Sequence, residues 1–313
     1  FYPTKEAKNS NLRHRPIGLG MMGIYDVLHK LNIKIDSKEA IELNDSLFEF
    51  YSMHAIYASS ILAAEKGSYE TYKGSLWSQG VFPIDSYNNL MVYRGQQKTP
   101  KEGKPLTGKG QTFKEWQKIR EHVAEFGMRN SNTMAIAPTA TIGYINGVEQ
   151  SIEPNFSVLF VYENKSGNFY ITNPHFVQDM KDRGLWNSEI SSFIKSIDGD
   201  LSLANGNIPE DLKEKYKTAF DRDMFLLIKV NAARQKWIDQ AISFNLYNKT
   251  TSLKYLNDLY MDCWKAGLKT TYYLRNRAAS KVEKSTEEKS DGDTPSACSI
   301  EAMKNGETCE SCQ

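Results

Sequence analysis

Three short stretches carry residue types that could do chemistry. In "GLKTTYYLRNR" (267–277), Tyr272 and Tyr273 stand side by side in a strand-like run. By itself the pair raises the question of chemistry without answering it, because aromatic and β-branched residues are what a buried strand wants, and in a regular strand successive side chains point to opposite faces. In "APTATIG" (137–143), Thr139 and Thr141 offer hydroxyls while Ala140 and Gly143 leave backbone N–H groups open. Such a turn can cradle a phosphate at a helix start, although an ordinary strand-to-helix turn with a Thr cap reads the same way. At the end, Cys309 and Cys312 form a C-x-x-C. A structural zinc site needs four ligands, and the tail adds only Cys298 and no histidine, so we expect no metal. A dithiol that closes to a disulfide needs two sulfurs alone.

A fourth stretch looks chemical and is set aside. Gly18, Gly20 and Gly23 in "GLGMMG" spell the glycine pattern of dinucleotide sites. That pattern has meaning only after an apolar strand that delivers pyrophosphate to a helix N-terminus. Polar "NSNLRHRP" precedes it here, so close helix packing is the expected use of these glycines. Cys263, in "DCWKAG", reads as a small buried side chain on a helix.

These residues need elements to position them. Met22, Tyr25, Leu28 and Leu31 are at helical spacing, and "KEAIELNDSLFEFYSMHAIYASSILAAEKG" predicts a long helix ending near Gly67. Residues 94–110 read as an exposed loop. A helix is predicted over 112–127, opened by Thr112 and Glu115 in capping-box spacing, then a short apolar strand that runs into the threonine turn. "SVLFVYEN" and "GNFYITN" predict two strands, with helices after Pro174 and near Asn187 and Pro209, together a small α/β insertion. A helix and strand over 221–247, a helix ending at Gly267 and the YYLR strand complete the ordered part. This alternation predicts an α/β fold with parallel strands, followed from Ala278 by a charged, aperiodic, disordered tether.

With 40% hydrophobic residues over 313 positions the chain can bury a sizeable core. Its 39 Lys and Arg balance 38 Asp and Glu, so no basic field draws it to nucleic acid or anionic lipid. No apolar run reaches a bilayer-spanning length and the start has no signal-peptide core, which makes a cytoplasmic protein the default expectation. Three of its four cysteines crowd the last 16 residues, a pattern for reducing surroundings rather than a disulfide framework. Because the chain opens on Phe1, we expect it to be cut from something longer.

Taken in order, "EAKNSNLRHRPIGLG", "EKGSYETYKGS", "RNSNTMAIAPTATIG", "SIEPNF", "NPHFVQDMKDRGLW", "GLKTTYYLR" and the terminal C-x-x-C resemble the C-terminal half of the large, catalytic (alpha) subunit of class I ribonucleotide reductases. The resemblance implies the second half of a ten-stranded α/β barrel, divided as half-barrel (1–156), insertion (157–218), half-barrel (219–277) and redox tail (278–313). It implies that Thr139, Ala140, Thr141 and Ile142 bind substrate phosphates and that Tyr272 and Tyr273 relay a radical. It further implies that Cys309 and Cys312 re-reduce an active-site disulfide and are themselves reduced by thioredoxin or glutaredoxin. No cofactor would be bound by this chain, the radical coming from a metal-containing small subunit.

The family's thiyl-forming cysteine, its neighbouring Asn and Glu, and both active-site redox cysteines have no counterpart in this sequence. We therefore expect a piece that reduces nucleoside diphosphates only with a chain carrying the N-terminal half. A non-catalytic fragment that docks the small subunit is the alternative, and a stand-alone thiol-disulfide protein a third reading.

Overall fold

The computed structural model describes residues 1–97, 111–164, 167–204 and 206–276. Cys298, Cys309, Cys312, the tail from 278 and most of the 94–110 loop lie outside the described residues.

The first helix, α1 (Lys5–His14), is capped by the Thr4 hydroxyl, which accepts from the Ala7 N–H at 3.1 Å. It buries nothing. Tertiary bonds hold its end instead, with the Glu70 N–H on the Arg13 carbonyl at 3.0 Å and His14 Nδ1 2.7 Å from the Thr71 hydroxyl. After α2 (Ile24–Lys30) comes α3 (Lys38–Lys66), begun by the Ser37 cap and ended at Gly67. Gly67 adopts φ 79°, a left-handed value that glycine tolerates without a Cβ clash. A Gly- and Pro-rich stretch then forms α4 (Pro83–Tyr93), with Pro83 pre-set for the first helical position and Asp85 reaching back to the Phe82 N–H at 2.9 Å. Next is α5 (Gln111–Phe126).

Helices α3 and α5 and a later helix, α10 (Met224–Gln235), enclose the main core. Two indoles stack there, Trp116 of α5 on Trp237 just past the end of α10, at 6.0 Å and 12°. Each indole N–H is satisfied by a carboxylate of α3: Trp116 donates to Glu49 at 3.0 Å, Trp237 to Asp45 at 2.6 Å. Burying such rings contributes roughly 1.5–3 kcal/mol apiece, provided the N–H finds an acceptor, as here.

A short helix α6 (Ala140–Asn146) leads to a second core. The hairpin β1 (Leu159–Asn164) and β2 (Gly167–Thr172) pairs antiparallel, and α7 (Pro174–Asp182), α8 (Ser188–Ser196) and α9 (Glu210–Lys215) follow it. Val158, Phe176, Met180, Ile194, Leu212 and Tyr216 fill that core. Polar contacts join it to α2 and to the stretch that follows α6. His175 lies 2.9 Å from Asp26, and the Asn173 amide donates to Glu149 at 3.1 Å. His29 is buried among Tyr25, Tyr216 and His175, and burial holds its imidazole down at about 3, neutral at any ordinary pH.

The remaining elements are β3 (Leu246–Asn248), α11 (Leu253–Lys265) and β4 (Leu274–Asn276). With two flanking segments they align four stretches in one direction. Leu19 bridges Met134, Ile136 bridges Ile242, and β3 pairs with β4, every pairing parallel. The chain is thus mixed α/β with parallel pairing, mostly helical among the described residues.

The glycines of "GLGMMG" correct one expectation. Gly18 and Gly20 serve strand pairing, not helix packing: a Cβ on Gly18 would stand 3.2 Å from the Ala135 Cβ, and one on Gly20 only 2.8 Å from the Ala135 carbonyl oxygen. Gly23 alone belongs to a helix, as the left-handed N-cap of α2. Backbone cannot retreat as a side-chain tip can. Gly20→Ala should therefore cost about 1–3 kcal/mol, the range for overpacking, and chemical denaturation of the two proteins measures it.

Candidate functional site

The site is organised around the segment from Ile242 to Tyr247, which has the threonine turn's strand on one side and the tyrosine pair on the other. On the first side the Ser243 N–H donates to the Ile136 carbonyl at 2.8 Å, and the Ile136 N–H to the Ala241 carbonyl at 3.2 Å. Just beyond that bridge the chain turns. Thr139 takes a left-handed conformation, φ 48°, and caps α6 without a side-chain bond to its first turn. Its hydroxyl instead accepts the Ser151 N–H at 2.8 Å. The leading N–H groups of α6 are left without intrahelical partners, as at any helix start, and Ala140, Thr141 and Ile142 are exposed. The four residues singled out in the sequence thus form one exposed turn past the C-terminal end of a parallel strand, where α/β sheets place ligands.

On the other side the ladder is irregular. The Tyr272 N–H donates to the Phe244 carbonyl at 2.8 Å, and the Leu246 N–H donates to the Tyr273 carbonyl at 2.8 Å. In an unbroken parallel ladder the second bond would fall on the Tyr272 carbonyl, so one residue, Asn245, faces two. This is a β-bulge, a device that re-aims side chains and interrupts pairing. The regular strand β4 starts only at Leu274. The alternation expected of a strand therefore fails where it matters: the rings of Tyr272 and Tyr273 lie in contact, centroids 4.1 Å apart and tilted by 52°. Both are half-exposed, at 50% and 51%. A hydrogen bond between the two pushes the Tyr272 phenol above its ordinary range. The Arg275 guanidinium sits 5.0 Å from the Tyr273 ring, in cation–π range.

Sequence reasoning missed the group beneath the bulge. Glu153, buried at 4% exposure, accepts the Asn245 N–H at 3.0 Å and the Tyr247 hydroxyl at 2.9 Å. Burial pushes its carboxyl up to about 7, opposed by those two bonds and by Arg234 and Arg275. Arg234 is fully buried, and burial pulls its guanidinium down to about 9, with Glu153 pulling back. The available signal was an acid set in "SIEPNF", between Ile152 and Pro154, a context in which a carboxylate has no apolar reason to be.

Cys263 is buried, and burial pushes its thiol up to about 12, so it is inert as a nucleophile or redox thiol. Among the described residues no cluster of His, Cys, Asp and Glu could hold a metal ion, and no helix is long and apolar enough to cross a membrane.

Comparison with known proteins gives this geometry a family. Residues 1–274 match the sequence family described as ribonucleotide reductase, barrel domain. The chain is similar to the ribonucleoside-diphosphate reductase subunit alpha of Chlamydia pneumoniae, 46% identical over 285 residues that are 91% of this chain and 26% of that protein. It also resembles the ribonucleoside-diphosphate reductase large subunits of Danio rerio and monkeypox virus. Each is 37% identical, over 88% and 90% of this chain and 32% and 34% of theirs. The chain spans about a quarter to a third of the length of these relatives. On the match of nearly its whole described length, this chain belongs to the ribonucleotide reductase barrel-domain family.

Proposed function

We propose that this chain is the C-terminal part of the catalytic subunit of a ribonucleoside-diphosphate reductase. It supplies the substrate-phosphate turn, the radical-relay tyrosines and the redox tail, and it becomes active once a chain carrying the N-terminal half completes the barrel. The observation that carries this reading is the tyrosine pair, half-exposed and in ring contact at 4.1 Å. A neutral phenol must lose its proton as it gives up its electron, and two phenols in ring contact are placed to pass both. A pair wanted only for packing would be turned inward.

In this reading a radical from a metal-containing small subunit crosses Tyr272 and Tyr273 to a cysteine on the completing chain. The turn at Thr139, Ala140, Thr141 and Ile142 holds the diphosphate by N–H and hydroxyl donation. Reduction of the substrate radical expels the 2′-hydroxyl as water and takes two electrons from a dithiol. Cys309 and Cys312 restore that dithiol by exchange and are reduced by thioredoxin or glutaredoxin. The half-barrel comprises 1–156 and 219–277, interrupted by the insertion 157–218 with its own core, and belongs to a ten-stranded barrel working in the cytoplasm. Reconstitution tests the proposal: deoxynucleoside diphosphate formation by this chain mixed with the missing half, the small subunit and a dithiol.

A further inference from the structure

We infer that Asn245 and Glu153 are positioning residues for the tyrosine pair: the Asn245 side chain holds the bulge that keeps the two phenols in contact, and the Glu153 carboxyl holds Asn245. The inference rests on the reading of the pair as a radical relay, and it concerns how the fold keeps two successive residues from diverging. A bulge leaves the extra residue's N–H without a ladder partner. Here that N–H, on Tyr273, donates to the Asn245 side-chain oxygen at 3.1 Å. Asn245 thus stands opposite both tyrosines and closes with its side chain the gap its backbone cannot.

The amide has one useful orientation, and its neighbours set it. The Tyr247 hydroxyl donates its proton to Glu153 at 2.9 Å, so toward Asn245 its oxygen is free only to accept, which favours an amide with its NH2 toward Tyr247 and its oxygen on the Tyr273 N–H. Glu153 closes the ring by accepting the Asn245 N–H at 3.0 Å. The three residues are all buried, at 4% for Glu153, 8% for Asn245 and 4% for Tyr247. The hydrogen bonds of this ring run to the tyrosine segment and not to the phosphate turn. Its outward bond goes to the backbone of Tyr273.

The arrangement is sensitive to the carboxyl's proton. As an anion Glu153 accepts from both neighbours. Protonated, it donates to the Tyr247 oxygen, and the displaced Tyr247 proton finds an acceptor in Asn245 only when the amide turns its oxygen toward Tyr247 and away from the Tyr273 N–H. The groups that face the carboxyl are Tyr247 on β3, Arg234 on α10 and Arg275 on β4, and burial sets its midpoint at about 7. The bulge is held most firmly above that pH and loosens below it.

The test places 3-fluorotyrosine at position 272 or 273 of the 313-residue chain and records fluorine NMR, with near-ultraviolet circular dichroism as the check on folding. Asn245→Ala should shift both resonances toward free fluorotyrosine. The parent resonances should step as pH rises through about 7, a step that Glu153→Gln removes. Should Asn245→Ala fail to fold, Tyr247→Phe deletes only the phenol that orients the amide and should produce the same shift in smaller measure. Resonances unmoved by Asn245→Ala or Tyr247→Phe, or a pH step that survives Glu153→Gln, would overturn the inference. In the reconstituted enzyme Asn245→Ala should lower kcat by about 10- to 100-fold with KM for the diphosphate unchanged. Because the fluorine signal does not depend on turnover, a failed relay leaves the shifts in place with turnover indifferent to Asn245. A failed positioning role leaves the shifts absent whatever turnover does.

Discussion

Tyr272→Phe should abolish diphosphate reduction in the reconstituted enzyme while leaving folding and association as they are. The substitution removes one oxygen. Phenylalanine keeps the ring, and Tyr272 is half-exposed, so the hydroxyl fills no space that a core would miss; stability should change by no more than about 0.5 kcal/mol. What disappears is the only part of the side chain that can give up a proton with its electron. A relay has no partial mode, so Tyr273→Phe alone and the double variant should lose as much as Tyr272→Phe alone, the non-additivity expected of groups that act as one unit. Deoxynucleotide formation measures the loss, and denaturant titration confirms that the fold is intact. A fragment that only docked the small subunit would keep its function in all three variants.

The second large effect is on stability. Arg234→Ala should cost about 3–5 kcal/mol, the range for removing one member of a buried charged network. Arg234 is fully buried on α10 and ties three parts of the molecule together. Its Nε donates to Asn44 of α3 at 2.8 Å, and one Nη donates to the Ile152 carbonyl at 3.1 Å and to Asn231 at 3.0 Å. Truncation leaves two buried amide oxygens and a carbonyl without their Arg234 donor and takes a favourable charge away from Glu153, which accepts the Asn245 N–H at the bulge. Arg234→Lys should rescue little, because an ammonium has no planar fork to meet acceptors on three elements at once. The drop in the denaturation midpoint measures both variants. Arg234→Lys matching the parent would show that charge alone, and not the fork, is what the site requires.

The helical frame was legible because its signals are local. Gly67 ends α3 in the sequence and in the structure, and Pro174, Asn187 and Gly267 mark helix ends in the same way. Where local signals were absent or mixed, elements were missed. Helix α1 buries no residue and has no apolar stripe, so only its Thr4 cap announced it. Helix α4 lies in a Gly- and Pro-rich stretch, where Pro83 reads as a breaker until its position at the helix start is known.

The site divides along the same line. The turn after Pro138 could be located from composition, small and hydroxyl residues between an apolar strand and a helix, but a phosphate role is not distinguished there from an ordinary Thr-capped turn. The relay role proposed for Tyr272 and Tyr273 rests in the sequence on family resemblance alone, because the residues suit a buried strand equally well. The bulge that separates the two uses is a one-residue register change between distant segments, and no local pattern encodes it. Glu153 and Asn245 were hidden for the same reason: their partners are 92 and 28 residues away.

Diphosphate reduction remains the most direct measurement of the central claim. This chain is assayed alone, and again with a chain carrying the N-terminal half, each time with the small subunit and a dithiol reductant. The account predicts deoxynucleoside diphosphate from the mixture and none from this chain by itself. Association of the two chains with no product, or product from this chain alone, would contradict it.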